Sequence, residues 1–414
     1  MGAINLKHNG SGSDITLSSD GTDLLLDGTA IGGGGGSPDL FADNDVSATA
    51  PTASGDNSVA IGNDAQATST NSIAIGSTYN GSGARATTGT GAIAIGGSRA
   101  TGTESFAAMI GSNSSSGAQG TNSVAIGFGA NATNTSSHAI GSNTTSSGYG
   151  SLAIGREAYS IADRSTAITN SYASGSAAFA AAITNNTSSY GATGSNSVAI
   201  GRLAKATGSH SLAIGGYNNF AAGAAAVSIG GNQANKAFGN ASFCIGGWQA
   251  WNEATDDNSF AMGEGAKSAV KGKLAYAGGR FNIIGDAQGG QFILRADTTD
   301  ATATALTTNN STAGSTNQIV AASDTCITFD GTITAMQNGA QAYASWKIEG
   351  LLVNDGGTTT LANSATTAIS NADGWGMALS ADNTNNALAI TVTGEASHNI
   401  LWVANIRTTE VTYA

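Results

Sequence analysis

The chain has 414 residues, of which 59 are Gly, 2 are Pro and 2 are Cys, and its net charge is −12. With only 15 Lys and Arg and no basic cluster, a nucleic-acid partner is disfavoured, because phosphate neutralisation needs a positive surface. The two cysteines, Cys244 and Cys326, lie in different parts of the chain, which excludes a disulfide framework, and no apolar run of about 18 residues marks a membrane-spanning helix.

Two β-capable runs, Ile15-Thr-Leu-Ser-Ser19 and Leu24-Leu-Leu26, flank Asp20-Gly21 and predict a β-hairpin. Residues 1–31 are expected to form a small N-terminal module. Residues 32–55 hold five consecutive glycines and both prolines, Pro38 and Pro51, and are expected to form a Gly-rich, extended linker. The first eight residues lack a basic stretch followed by an apolar one, so a secretion signal is not expected.

Residues 56–280 repeat one phrase. The clearest copies are Asn57-Ser-Val-Ala-Ile-Gly62, Asn71-Ser-Ile-Ala-Ile-Gly76, Asn122-Ser-Val-Ala-Ile-Gly127 and Asn196-Ser-Val-Ala-Ile-Gly201. With the Ile as marker the register runs from Ile61 through Ile110 and Ile183 to Met262 and Ala277. The commonest step is 14 residues and the longest is 20. A unit this small cannot bury its own apolar face, so successive units must stack into a solenoid of about 15 turns.

Each turn is expected to hold two short strands, the second shown by Ala65-Gln-Ala67 and Ala204-Lys-Ala206. Side chains alternate along a strand, so Val59 and Ile61 point one way and Ala60 the other. The large pair is expected inside the coil, leaving Ala60 on an outer face suited to close approach. Phe243 and Phe260 fill the Val59 slot and are expected in the core. His138, in the same slot, is an interior or interface histidine, and Cys244 at the Ala position acts as a small apolar residue. A coil this thin has little core, and association of three copies around an axis would remedy that.

Residues 281–414 alternate apolar and polar in several runs separated by turn signals such as Asp355-Gly-Gly. They predict a C-terminal β-sandwich of jelly-roll-like form. The fold class is thus all-β throughout.

No residue spacing points to catalysis, a cofactor or a metal. The four histidines, His8, His138, His210 and His398, are isolated in sequence. Candidate ligand contacts are rings and cations on the stretched steps. Trp248 and Trp251 follow Ile245 in a step of 17, and Tyr79 and Arg85 lie in the step of 20. Trp375 and Tyr343 are candidates in the C-terminal region. A ring with an apolar face and a polar edge can stack on a sugar; the competing role for each is packing.

The repeat between Asn57 and Gly278, with its recurrent Ser-x-Ala-Ile-Gly, resembles the head domain of trimeric autotransporter adhesins. That resemblance implies a left-handed parallel β-roll, three to a head. Residues 2–32 resemble N-terminal segments of phage tail-fibre and virion proteins. Residues 284–288, 292–302, 389–395 and 402–411 resemble a C-terminal β domain of phage fibres. Together they imply a homotrimeric tail fibre on the virion surface. Its N-terminal segment would dock on a tail or capsid protein, and it would bind a host-surface glycan or protein receptor without catalysis or membrane insertion. A capsid-decorating fibre, a polysaccharide-cleaving tailspike and a bacterial trimeric adhesin are the alternatives.

Overall fold

The computed structural model describes residues 4–6, 15–19, 24–26, 29–30, 49–76, 78, 83–111, 116–231, 235–246, 251–371 and 374–413. Among the described residues every regular element is a strand and none is a helix. Ile4–Leu6, Ile15–Ser19, Leu24–Leu26 and Thr29–Ala30 pair antiparallel in that order. The expected Asp20-Gly21 turn and residues 31–48 of the expected linker lie outside the described residues. Thr52–Ala53 already pairs with Gln66–Ala67, so the solenoid begins inside the segment assigned above to the linker.

The chain divides into two units, Met1–Asn143 and Thr144–Ala414, and each contains turns of one design. A turn holds a three-residue strand such as Val59–Ile61 and a two-residue strand such as Gln66–Ala67. Each pairs in parallel with its counterpart one turn on. Val59, Ala60 and Ile61 face Ile73, Ala74 and Ile75, and in the second unit Val198, Ala199 and Ile200 face Leu212, Ala213 and Ile214. About 15 such turns make up the solenoid.

The side-chain alternation is as expected, but its sense is reversed. Ala74, Ala94, Ala125 and Ala199 are fully buried, whereas Val59, Ile75 and Ile95 are 42%, 38% and 38% exposed in the single chain. The interior is therefore a column of methyl groups from Ala60, Ala65, Ala67 and their counterparts. With alanine on the inward side of both strands of a turn, Val and Ile of the three-residue strands are left on the outside. Phe243 and Phe260 share that outer row, 5.7 Å apart, rather than the core. His138 stands in it half-buried, and Cys244 occupies the buried Ala position as expected.

Asn and Ser of the repeat have local structural roles. Asn57, Asn71, Asn122 and Asn196 adopt φ of 54–56°, the left-handed region that Asn tolerates better than most residues. This residue hands its N–H to the turn before, as Asn71 does to the Asp56 carbonyl at 2.8 Å. Of the Ser residues that follow, Ser72 and Ser197 are buried and donate their hydroxyls to the carbonyl three residues back, Ser72 to Ser69 at 2.6 Å and Ser197 to Gly194 at 2.7 Å. At this same corner the backbones touch, and a Cβ on Gly102 would collide with the Gly120 carbonyl.

Three of the assigned markers shift. Ala108, not Ile110, pairs with Ile126, and Ala181, not Ile183, pairs with Ile200. In Phe106-Ala-Ala-Met-Ile110 and Phe179-Ala-Ala-Ala-Ile183 the Ile falls two residues late and turns into the corner, where it is fully buried. Its N–H is met there by a serine hydroxyl, Ser98 or Ser171, at 3.2 Å. At the last turn Tyr276, not Ala277, is the partner of Met262.

Beyond the solenoid, Leu274–Gly278 pairs antiparallel with Ala287–Thr298, and the sheet continues through Ile400–Thr412, Thr325–Gln337, Tyr343–Asp355 and Thr358–Asn371. A smaller sheet joins Thr304–Ala305, Ile319–Val320 and Gly376–Asp382 to Ala387–Thr393. The two sheets share one core that includes Phe292, Ile333, Trp346, Leu388, Ile390 and Trp402.

A charged plug closes the methyl column. In the last turn the slot that holds Ser or Ala elsewhere is Lys273, buried, with its ammonium 2.6 Å from Glu410 Oε2. Gln288 Nε2 donates to the same oxygen at 2.7 Å and Thr408 Oγ1 to the other at 2.7 Å. Gly290 leaves the room for this, since a Cβ there would meet both Thr408 and Glu410.

Two substitution results follow. Ala199→Leu overfills the methyl column and should cost about 1–3 kcal/mol, whereas Val198→Ile in the outer row costs less than about 1.5 kcal/mol, read from thermal unfolding. Lys273→Met alone strands Glu410 and should cost about 3–5 kcal/mol, whereas Lys273→Met with Glu410→Leu recovers most of the loss.

Candidate functional site

Two outward faces run along the solenoid and differ in chemistry. The three-residue strands show aliphatic and aromatic side chains, such as Val198, Leu212, Val227, Phe243 and Phe260 in successive turns. The two-residue strands show their first residue, which apart from Gly117 and Gly191 is polar, charged or aromatic: Tyr159, Tyr172, Lys205, Phe220, Lys236, Glu253 and Lys267 in the second unit. Sequence reasoning missed this second face. Its signal was the central residue of the Ala-x-Ala phrase, which must point away if both alanines point in.

Of the candidate contacts, Tyr79 and Trp248 lie outside the described residues. Arg85 sits on a two-residue strand, with Asp64 3.5 Å away. Burial raises the Asp64 carboxyl, but hydrogen bonds from Gln66 and the Gly83 N–H, with the Arg85 charge, outweigh it and hold the group below its usual range. Trp375 is a correction. It is 3% exposed and packs 5.7 Å from Trp402 in the C-terminal core, which it shares with Leu388, Ile390 and Val392 of the small sheet. Tyr343 is exposed on the outer face of the large sheet.

Trp251 stays at the surface, 39% exposed, with the Arg280 guanidinium 5.7 Å above its ring. Both partners are held from below. Next to Trp251, buried Asn252 donates to the Ile245 and Gly263 carbonyls at 3.1 and 2.8 Å and to Asn235 Oδ1 at 3.1 Å. Asn235 in turn donates to Asn219 Oδ1 at 3.3 Å. This ladder of stacked amides fills the corners where the steps lengthen to 15–17 residues, replacing the Ala or Ser of shorter turns.

Beside Arg280, Asp286 gathers the N–H groups of Phe281, Asn282 and Ile283 at 3.0, 2.6 and 2.8 Å. Burial raises its pKa, yet these three bonds and the Arg280 charge together lower it below the ordinary carboxylate value. Nearby, burial pushes the Cys244 thiol up to about 12, with the Glu253 charge adding to it. That thiol donates to the Asn252 carbonyl at 3.2 Å.

On the large sheet a groove of about 660 Å³ lies over Gly350, between Asp330, Glu349, Leu351, Asn363 and Thr409. Its two carboxylates are each engaged by a cation, Asp330 by Arg407 at 2.5 Å and Glu349 by Lys347 at 3.3 Å.

Because Asp286 has a depressed folded-state pKa, its stabilising effect is complete above the unfolded carboxylate pKa and is lost as pH falls through the folded value. The thermal midpoint should therefore decline below about pH 4. Asp286→Asn should flatten that decline, as read from thermal scans against pH. An unchanged acid limb would rule out the contribution.

Residues 53–78, 118–144, 146–168 and 192–218 match the YadA head domain repeat. No curated protein matches the chain. All four matched segments fall in the solenoid, which is an adhesin-head-like β-roll.

Proposed function

We propose that the protein is a homotrimeric virion tail fibre that attaches to a host cell surface by non-catalytic binding to surface polysaccharide. The carrying observation is the outer aliphatic row. An interior already filled by methyl groups leaves Val59, Ile75 and Ile95 in the first unit, and Phe260 and Met262 in the second, each more than a third exposed. Burying such a row contributes about 25 cal/mol per Å² of apolar surface, and three copies turned inward would remove it from water. The adhesin heads that the repeats resemble are trimeric, which supports the same count.

The N-terminal strands would serve as the virion-docking module, by the resemblance of residues 2–32 to phage fibre segments. The C-terminal region would be a β-sandwich facing outward. Attachment gains strength from repetition, because weak sites on three chains act together through effective concentration.

Light scattering on the purified full chain should give a mass of three 40.5 kDa chains. A monomer would overturn the trimeric reading. Incubation with host polysaccharide should show retention without shortening of the glycan; shorter products would replace this reading with a depolymerase.

A further inference from the structure

We propose that the face formed by the two-residue strands binds an anionic polysaccharide, held by cations and ring faces that project from successive turns. This rests on the reading of the protein as a glycan-binding fibre and specifies the charge of the glycan and the surface that takes it.

The first residues of these strands include five cations, Arg85, Arg99, Lys205, Lys236 and Lys267, and three rings, Tyr159, Tyr172 and Phe220. Only one is acidic, Glu253. The whole chain has 27 acidic residues against 15 basic ones, so this face reverses the charge balance of the molecule. The acids sit at the corners instead, as Asp56, Glu104, Asp163 and Asp257 do.

In the first unit Arg85 and Arg99 are register partners on adjacent strands. Like charges directly opposite each other repel, and the single acid beside them, Asp64, pairs with Arg85. An anion lying across both guanidiniums would relieve that repulsion. In the second unit Tyr159 and Tyr172 occupy adjacent rungs, and Lys205, Phe220 and Lys236 occupy three consecutive ones. The Lys205 ammonium lies 4.9 Å from the Phe220 ring, and Lys236 lies 3.1 Å from Glu253. Lys267 follows on the next rung, exposed.

Rungs repeat at about 4.8 Å, close to the length of one pyranose unit, so a sugar chain laid along the face meets a fresh side chain at each step except the Gly117 and Gly191 rungs. Carboxylate or sulfate groups would take charge-assisted hydrogen bonds from the cations, and sugar faces would stack on the rings. A nucleic acid fits less well, because its phosphates would also face the acidic corners of a chain with net charge −12.

The test measures binding of the full chain to alginate, a polyuronate, and to dextran, a neutral glucan, at low and at physiological salt. Alginate should bind, more weakly as salt rises, and more tightly than dextran. Lys205→Gln with Lys267→Gln, both in the second unit, should weaken alginate binding about tenfold, and Lys205→Arg should keep it. Dextran bound as tightly as alginate, or a folded double variant with unchanged affinity, would sink the anionic-glycan site and leave the glycan-binding fibre standing. Binding to neither polysaccharide removes both. Equal affinity for a DNA duplex would also overturn the assignment. If the double variant loses its thermal transition, the salt dependence and the alginate-to-dextran ratio of the unaltered chain decide.

Discussion

The structure depends on how close the two strands of each turn lie. Between them the side chains are mostly methyl groups and serine hydroxyls, so the interior is largely a ladder of Ala and Ser, with Ile110, Ile183 and the Asn219, Asn235 and Asn252 amides buried at the corners. Burial of methyl groups contributes little, about 0.8 kcal/mol for each CH₂-sized group. Order in the coil therefore comes mostly from the parallel backbone ladders between turns. Along the strands the larger side chains stand on one of two outer faces, and these are the surfaces available for contact.

Much of this was legible in the repeat. The period, the turn count, the two strands per turn and the alternation all follow from the recurrent Ser-x-Ala-Ile-Gly. The sense of the alternation was not legible, because a period of two says which residues share a face without saying which face is inside. Size decided it, and size favours the smaller residue only once the strand separation is known. Ile110 and Ile183 misled for a related reason: the phrase persists in sequence while two extra residues move its Ile off the strand and into the corner. Asn219, Asn235 and Asn252 were readable only as polar residues near long steps, since their amide ladder joins residues a full turn apart. Trp375 could not be placed from sequence because its burial depends on a small sheet assembled from four separate segments.

The two outer faces divide the work of a fibre. An aliphatic row that water would avoid suits contact between copies, and a row of cations and rings suits contact with something hydrated and charged. Neither role requires a cleft, because repetition supplies extent. The corners carry the acids, which keep such particles apart in solution, and they also carry the departures from regularity, including the exposed Trp251 beneath Arg280.

The Lys273–Glu410 plug joins residues 137 positions apart in the chain. During synthesis the earlier turns can stack as they emerge, each on the one before, since every rung is local. The last turn cannot finish in that way. Its lysine enters the mouth of the methyl column long before its carboxylate partner exists, and it must stay hydrated until the Ile400–Thr412 strand arrives. The solenoid thus stays open at this end until the C-terminal sheet is complete, and a chain released early would carry an unsealed rung onto which other unsealed chains could stack.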